Sequence, residues 1–161
     1  EFRRVLFRYP IKSVYSIFKH VAIPAPVDDV TATMFTFESG LLGYIGSNFA
    51  CPRTNWMYIY GTEANLVRNV RRVDRAFDKE RTQSIDASST LDIYRKGKSD
   101  PEPITFPIGD PMLEEIDEFA DCVMAGKQPE TDGHASLKAL SLIRAAIDSA
   151  RSGMPVKVEK P

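Results

Sequence analysis

The stretch Val27–Gly61, VDDVTATMFTFESGLLGYIGSNFACPRTNWMYIYG, decides the fold. Two segments of alternating character flank the turn Glu38-Ser39-Gly40. A short polar loop follows, and Trp56–Tyr60 reads as a third strand that stops at Gly61. In Thr31–Phe37, Ala32, Met34 and Thr36 share one face, and Thr31, Thr33, Phe35 and Phe37 share the other. β-Branched and aromatic residues at period two suit a pleated, half-buried surface. Neither face is strongly charged, so both suit burial, one under helices and the other against a partner.

Upstream, Ile11–Val21 alternates well enough for a strand, and Pro24 and Pro26 end it. Downstream, Leu66–Val70 and Leu91–Arg95 read as strands, Lys96–Pro103 as a polar loop and Ile104–Phe106 as one more short strand. Arg71–Arg81 is ambiguous, because Val70, Val73 and Phe77 are also spaced as one helical stripe. The period then changes to 3.6. Asp110 is a good N-cap, Pro111 suits the first helical position, and Glu114 and Glu115 fall in the first turn. Leu113, Ile116, Phe119, Ala120 and Val123 form one apolar stripe, and Gly126 is placed to end the helix.

A second helix starts near Asp132, with Ala139, Leu140, Ile143, Ala146, Ile147 and Ala150 facing inward. Gly153 and Pro155 stop it, and Pro155–Val158 reads as a last short strand. Strands first and helices afterwards indicate an α+β fold: a large, mostly antiparallel open sheet with two C-terminal helices packed on one face.

The 161 residues are enough for one domain that buries roughly two-thirds of its unfolded surface. A net charge of −1 argues against a general attraction to nucleic acid or anionic lipid. No apolar run approaches the ~20 residues that span a bilayer. The two cysteines, Cys51 and Cys122, cannot make a disulfide framework, and reduced thiols in the cytoplasm are the simpler reading. Glu1–Arg8 is basic, lacks an initiating Met and reads as a non-native leader. That leaves residues 9–161 as one domain, cut at its N-terminus.

No metal or catalytic constellation is visible. His20 and His134 are far apart and lack carboxylates or cysteines at ligand spacing. Cys122 suits a small packing position on a helix. Cys51 lies beside Arg53, which would favour its thiolate, but no histidine is close in sequence to act as its base. The basic run Arg68, Arg71, Arg72, Arg75, Lys79 and Arg81 is interleaved with Asp74, Asp78 and Glu80, as in a solvated, salt-bridged face. Asp28 and Asp29 point to opposite faces if they lie on a strand, so a role at the strand's start suits them better than paired acid–base work. The loop Asn48–Asn55 is the best candidate site. Asn48, Arg53, Asn55 and Trp56 combine amide, guanidinium and indole groups that suit hydroxyl-rich or carboxylate ligands.

Three blocks, VDDVTATMFTFESGLLGYIGSN, MYIYGTEANL and MLEEIDEFADCVMAGKQPETDGHASLKALSLIRAAIDSARSGMPV, carry a resemblance in their order and spacing. Together they resemble the C-terminal half of Gfo/Idh/MocA-type oxidoreductases, the glucose–fructose oxidoreductase and inositol dehydrogenase relatives. The shared features are the Asp28-Asp29 strand start, the Gly40 hairpin and the Gly61-Thr62-Glu63 corner. To these are added Glu118–Cys122 with Gly126-Lys127-x-Pro129, and the closing Ala145-Ala146…Ser149…Gly153-x-Pro155-Val156 pattern. The resemblance covers Pro10–Val158.

The resemblance implies a second domain whose sheet lines a substrate site and commonly forms the oligomer interface, with NAD or NADP bound by an N-terminal Rossmann domain. It implies a sugar, polyol or related hydroxylated substrate, a homo-oligomer formed through the open sheet face, and hydride transfer by residues outside this sequence. No G-x-G-x-x-G follows a strand here, and the family's Asp-x-x-x-His helix has no counterpart before Ile11. Glu159-Lys160-Pro161 spells the family's Glu-Lys-Pro motif, but beyond the last helix, so no role is assigned to it. A non-catalytic assembly domain that pairs through its sheet is the alternative, and exposure of Phe35, Phe37 and Tyr44 would favour it.

Overall fold

Wherever the sequence alternates at period two the chain forms a strand, and wherever it repeats at 3.6 it forms a helix. The computed structural model describes residues 10–52, 54–71, 90–105 and 110–160. In chain order the strands are β1 (Ile11–Lys19), β2 (Val30–Phe37), β3 (Leu42–Asn48), β4 (Thr54–Tyr60), β5 (Ala64–Arg71), β6 (Thr90–Arg95), β7 (Glu102–Pro103) and β8 (Val156–Lys157). The helices, α1 (Pro111–Ala125) and α2 (Gly133–Ser152), come between β7 and β8. Every described strand pair is antiparallel, and the strands form two four-stranded sheets. The fold is α+β, as expected. The chain divides into two units, Glu1–Cys51 with Cys122–Pro161, and Pro52–Asp121.

In the first unit the strand order is β3-β2-β1-β8. α2 packs on β1 and β8, and the core beneath it is Val14, Ala145, Ala146 and Val158, with Ile11, Phe18, Phe35, Leu142 and Val156 against them. Because directly paired residues share a face, the register sorts the sheet. Val14, Phe35 and Gly43 form one row under the helix, and Ser16, Thr33 and Ile45 the next. The opposite face carries the rows Tyr15–Met34–Tyr44 and Ile17–Ala32–Gly46. These are the two faces expected for Thr31–Phe37.

Two features fix this unit. Ser16 and Ser149 are 1% and 0% exposed. The register Ser13↔Lys157, Val14↔Val156, continued, places Met154 opposite Ser16, just beyond the two residues of β8. There the Ser149 hydroxyl accepts the Ser16 N–H at 3.0 Å and donates to the Met154 carbonyl at 2.7 Å, extending the ladder with a side chain. The Ser16 and Thr33 hydroxyls, 2.9 Å apart, bond each other on the same face. In β3, Gly43 has no room for a side chain. A Cβ there would lie 2.1 Å from Cε2 of Phe35, whose ring leans across it and meets Phe37 edge-on at 5.5 Å.

β1 stops at Lys19, short of the expected Val21, for an electrostatic reason. The buried Asp29 carboxylate accepts the N–H groups of Val21 at 2.7 Å, Ala22 at 2.7 Å and Ile23 at 2.8 Å, which draws that segment off the ladder. The strand-start role read for this residue thus has a mechanism. The Ile23 N–H chiefly holds the Asp29 carboxyl at about 2, below its ordinary 3.8. The amides of Ala22, Val21 and its own residue add to it, and burial opposes.

A folded-state pKa below the unfolded value means stabilisation that is complete above about pH 4 and is lost as the pH falls towards 2. Urea unfolding is expected to show an Asp29→Asn variant weaker than the parent at pH 7, with the gap closing near pH 2. A gap that does not change with pH would contradict this role.

In the second unit the strand order is β4-β5-β6-β7. The expected strand at Ile104–Phe106 is displaced to Glu102–Pro103. Glu102 lies opposite Ile93 and takes hydrogen bonds from Arg95, at 2.9 Å, and from Lys98, so charge pairing rather than β-propensity selects the paired residues. Those two cations, Lys98 first, hold the Glu102 carboxyl below the usual carboxylate range. The ambiguous run Arg71–Arg81 lies, past Arg71, outside the described residues, as do Glu1–Tyr9 and Phe106.

α1 starts as expected, with Asp110 accepting the Met112 N–H at 3.0 Å. Its apolar stripe, Leu113, Ile116, Phe119 and Val123, is exposed. Lys160, of the terminal Glu-Lys-Pro, pairs with Glu38 at 3.4 Å beside the β2–β3 turn.

Candidate functional site

The residues expected to form one site are distributed by strand alternation. Asn48 is the last residue of β3, opposite Val30, and shares the helix-free face of the first unit with Tyr44 and Met34. Asn55 and Trp56 are consecutive on β4, so they stand on opposite faces of the second unit's sheet. Arg53 lies outside the described residues.

Asn55 belongs to a face with Met57, Ile59, Leu66, Leu91 and Ile93, and its amide oxygen accepts from Arg68 Nη1 at a long 3.5 Å. Trp56 belongs to the other face, where sequence reading missed its companions. Trp56 and Tyr58 meet edge-on at 5.4 Å, and Tyr58 and Tyr60 are nearly parallel at 6.1 Å. The same-face neighbours across the register are Asn69 and Thr90 beside Trp56, Val67 and Asp92 beside Tyr58, and Asn65 and Tyr94 beside Tyr60. The signal was present as W-x-Y-x-Y, aromatics at period two. Val67 is buried, whereas Trp56, Tyr58, Tyr60 and Tyr94 are exposed.

Neither helix offers a seat for a dinucleotide's pyrophosphate. A free helix N-terminus binds phosphate through its unpaired N–H groups. Here Asp110 caps α1, and Asp132 caps α2 by accepting the Ala135 N–H at 2.9 Å, which puts a carboxylate where the phosphate would sit. The described residues therefore do not fit a nicotinamide dinucleotide. Among them, no group of three His, Cys, Asp or Glu side chains converges as a metal site, and no helix is long and apolar enough to cross a membrane.

Comparison with known proteins places this architecture. Residues 10–158 match the C-terminal α/β domain of the Gfo/Idh/MocA oxidoreductase family. D-xylose 1-dehydrogenase (NADP(+)) 2 of Haloferax volcanii is 26% identical over 133 residues, which are 83% of this chain and 38% of that protein. The structure of a proposed NADPH-dependent oxidoreductase from Desulfitobacterium hafniense superposes with a TM-score of 0.79 at 28% identity, over 92% of this chain and 42% of that one. Aldose–aldose oxidoreductase from Caulobacter crescentus, solved with glycerol, shares the fold with a TM-score of 0.73 at 19% identity, over 96% of this chain and 43% of that one. The chain thus spans about two-fifths of the length of these relatives. With its match running from the start of β1 to the residue after β8, the chain belongs to the Gfo/Idh/MocA oxidoreductase family, as its C-terminal α/β domain.

Proposed function

We propose that this domain is the substrate-side wall of an oxidoreductase that passes a hydride between a nicotinamide and a sugar, polyol or related hydroxylated compound. The observation that carries this reading is the family match over residues 10–158, joined to a D-xylose dehydrogenase relative. The cofactor, NAD or NADP, is held by the part of the relatives' length that this chain does not span, since both helix N-termini here are closed by Asp side chains. Asn48, Arg53, Asn55 and Trp56 remain the proposed substrate-side contacts. Asn55 and Trp56 serve different faces of β4, and the indole supplies the stacking surface. The two free thiols, Cys51 and Cys122, suit a cytoplasmic enzyme.

A second role accompanies the first: homo-oligomerisation through the helix-free face of the first unit. Tyr15, Ile17, Met34, Leu42 and Tyr44 are all exposed there, a contiguous apolar surface of the kind that marks interfaces. Both roles are tested on the 161-residue chain by itself. Incubated with D-xylose and NAD or NADP it is expected to give no turnover. In sedimentation velocity it is expected to self-associate, with a Met34→Glu variant at least about tenfold weaker. Turnover by the chain alone would refute the first role, and a monomer at every concentration would refute the second.

A further inference from the structure

We infer that the Trp56–Tyr58–Tyr60 face of β4 binds a neutral pyranose ring by stacking, with Asn65, Asn69 and Asp92 as its hydrogen-bonding rim. The inference rests on the proposed reading of Trp56 as a substrate contact and extends it to residues that reading did not contain.

The composition of the face selects the ligand class. Three aromatic side chains follow one another at alternate positions of a single strand, with ring centroids 5.4 and 6.1 Å apart, and Tyr94 stands two strands away in the row of Tyr60. Their exposures run from 42% for Tyr58 to 77% for Tyr60, so the rings rest on buried Val67 yet present surface to solvent. Rings alone would suit any apolar partner. The rows between and beyond them, however, carry Asn69, Thr90, Asp92 and Asn65. Asn65 Oδ1 already accepts the Gly61 N–H at 3.2 Å, which leaves its amide nitrogen to donate outward.

A pyranose has the matching division: a face of C–H groups that lies on aromatic carbon, and an edge of hydroxyls that both donate and accept. The first unit's helix-free face differs, since its rows add aliphatic Ile17, Ala32, Met34 and Leu42 to Tyr15 and Tyr44 and suit a protein surface. Charge narrows the choice further. Among the described side chains of the β4 face the one ionisable acid or base besides the tyrosines is Asp92, a carboxylate. It accepts from sugar hydroxyls and repels a phosphate or carboxylate, so phosphosugars and nucleotides are disfavoured.

Trp56 is the chain's single tryptophan, so its emission reports on this face directly. Titration of the chain with D-glucose or D-xylose is expected to give a saturable change in tryptophan fluorescence, half-complete on the order of 1–10 mM. A Tyr60→Ala variant, with unchanged far-ultraviolet circular dichroism, is expected to need about tenfold more sugar. D-Glucose 6-phosphate is expected to bind at least about tenfold more weakly than D-glucose, and Asp92→Asn to narrow that difference.

No saturable change, or a Tyr60→Ala curve that overlays the parent's, would overturn the inference. So would an emission shift that follows protein concentration and ignores sugar, because a second copy would then cover the face. Binding is read here without cofactor or turnover, so its failure leaves the oxidoreductase reading to be judged by its own assay.

Discussion

Gly43→Val is expected to destabilise the first unit by about 2 kcal/mol or more, although replacing a strand glycine by a β-branched residue ordinarily gains stability. The intrinsic gain is about 0.5–1 kcal/mol. Against it stands a side chain whose first carbon would lie 2.1 Å from Cε2 and 2.4 Å from Cζ of Phe35. The ring cannot simply swing aside, because it packs on the core around Val14 and meets Phe37 edge-on. Forcing extra volume into such a site costs about 1–3 kcal/mol, and exiling the phenyl ring forfeits about 1.5–3 kcal/mol of burial. A double-mutant cycle makes the cause visible. In a Phe35→Ala background the same valine should be neutral or favourable, so the two changes couple with opposite sign to simple addition. Equal effects of Gly43→Val in both backgrounds would show that the ring is not the obstacle.

Ser149→Ala is the second large effect. The hydroxyl is buried between α2 and β1 and serves two backbone groups, the Ser16 N–H and the Met154 carbonyl. Alanine removes one oxygen and leaves the Ser16 N–H without a partner where water has little access. An unpaired buried donor costs about 1–3 kcal/mol. For a chain of this size each kcal/mol lowers the melting temperature by roughly 2–4 °C. Ser152→Ala, three residues on, is the control. That hydroxyl is exposed and bonds within its own helix terminus, so its loss should stay within about 0.5 kcal/mol. If the two alanine variants melt together, the ladder extension through Ser149 does not contribute.

These two residues also show what the sequence could and could not disclose. The strands around Val27–Gly61, their faces and both helices follow from period, caps and turns, which are local properties. Gly43 reads only as a weak strand position. That it must stay small depends on the rotamer of Phe35 across the β2–β3 pair. Ser149 reads as one hydroxyl on a helix. Its role arises when β8, from the far end of the chain, meets β1 and falls one pair short.

The candidate site was lost in part for a similar reason. Treating Asn48–Asn55 as a loop suspended the alternation rule, and only the extension of β4 back to Thr54 separates Asn55 from Trp56. Glu102–Pro103 escaped notice because salt bridges, rather than strand-forming side chains, hold it beside β6.

The β1–β8 pairing has a further consequence. Ser13 lies opposite Lys157, so the first unit closes on itself across nearly the whole chain, and the second unit is spliced into the resulting loop between β3 and α2. Loop closure depends only on the logarithm of length, at about 0.6 kcal/mol for each doubling. Segments between β4 and β7 can therefore lengthen, shorten or be exchanged with little effect on the frame that holds them. The first unit is built to keep its register while the inserted sheet, with its aromatic strand, is free to diverge.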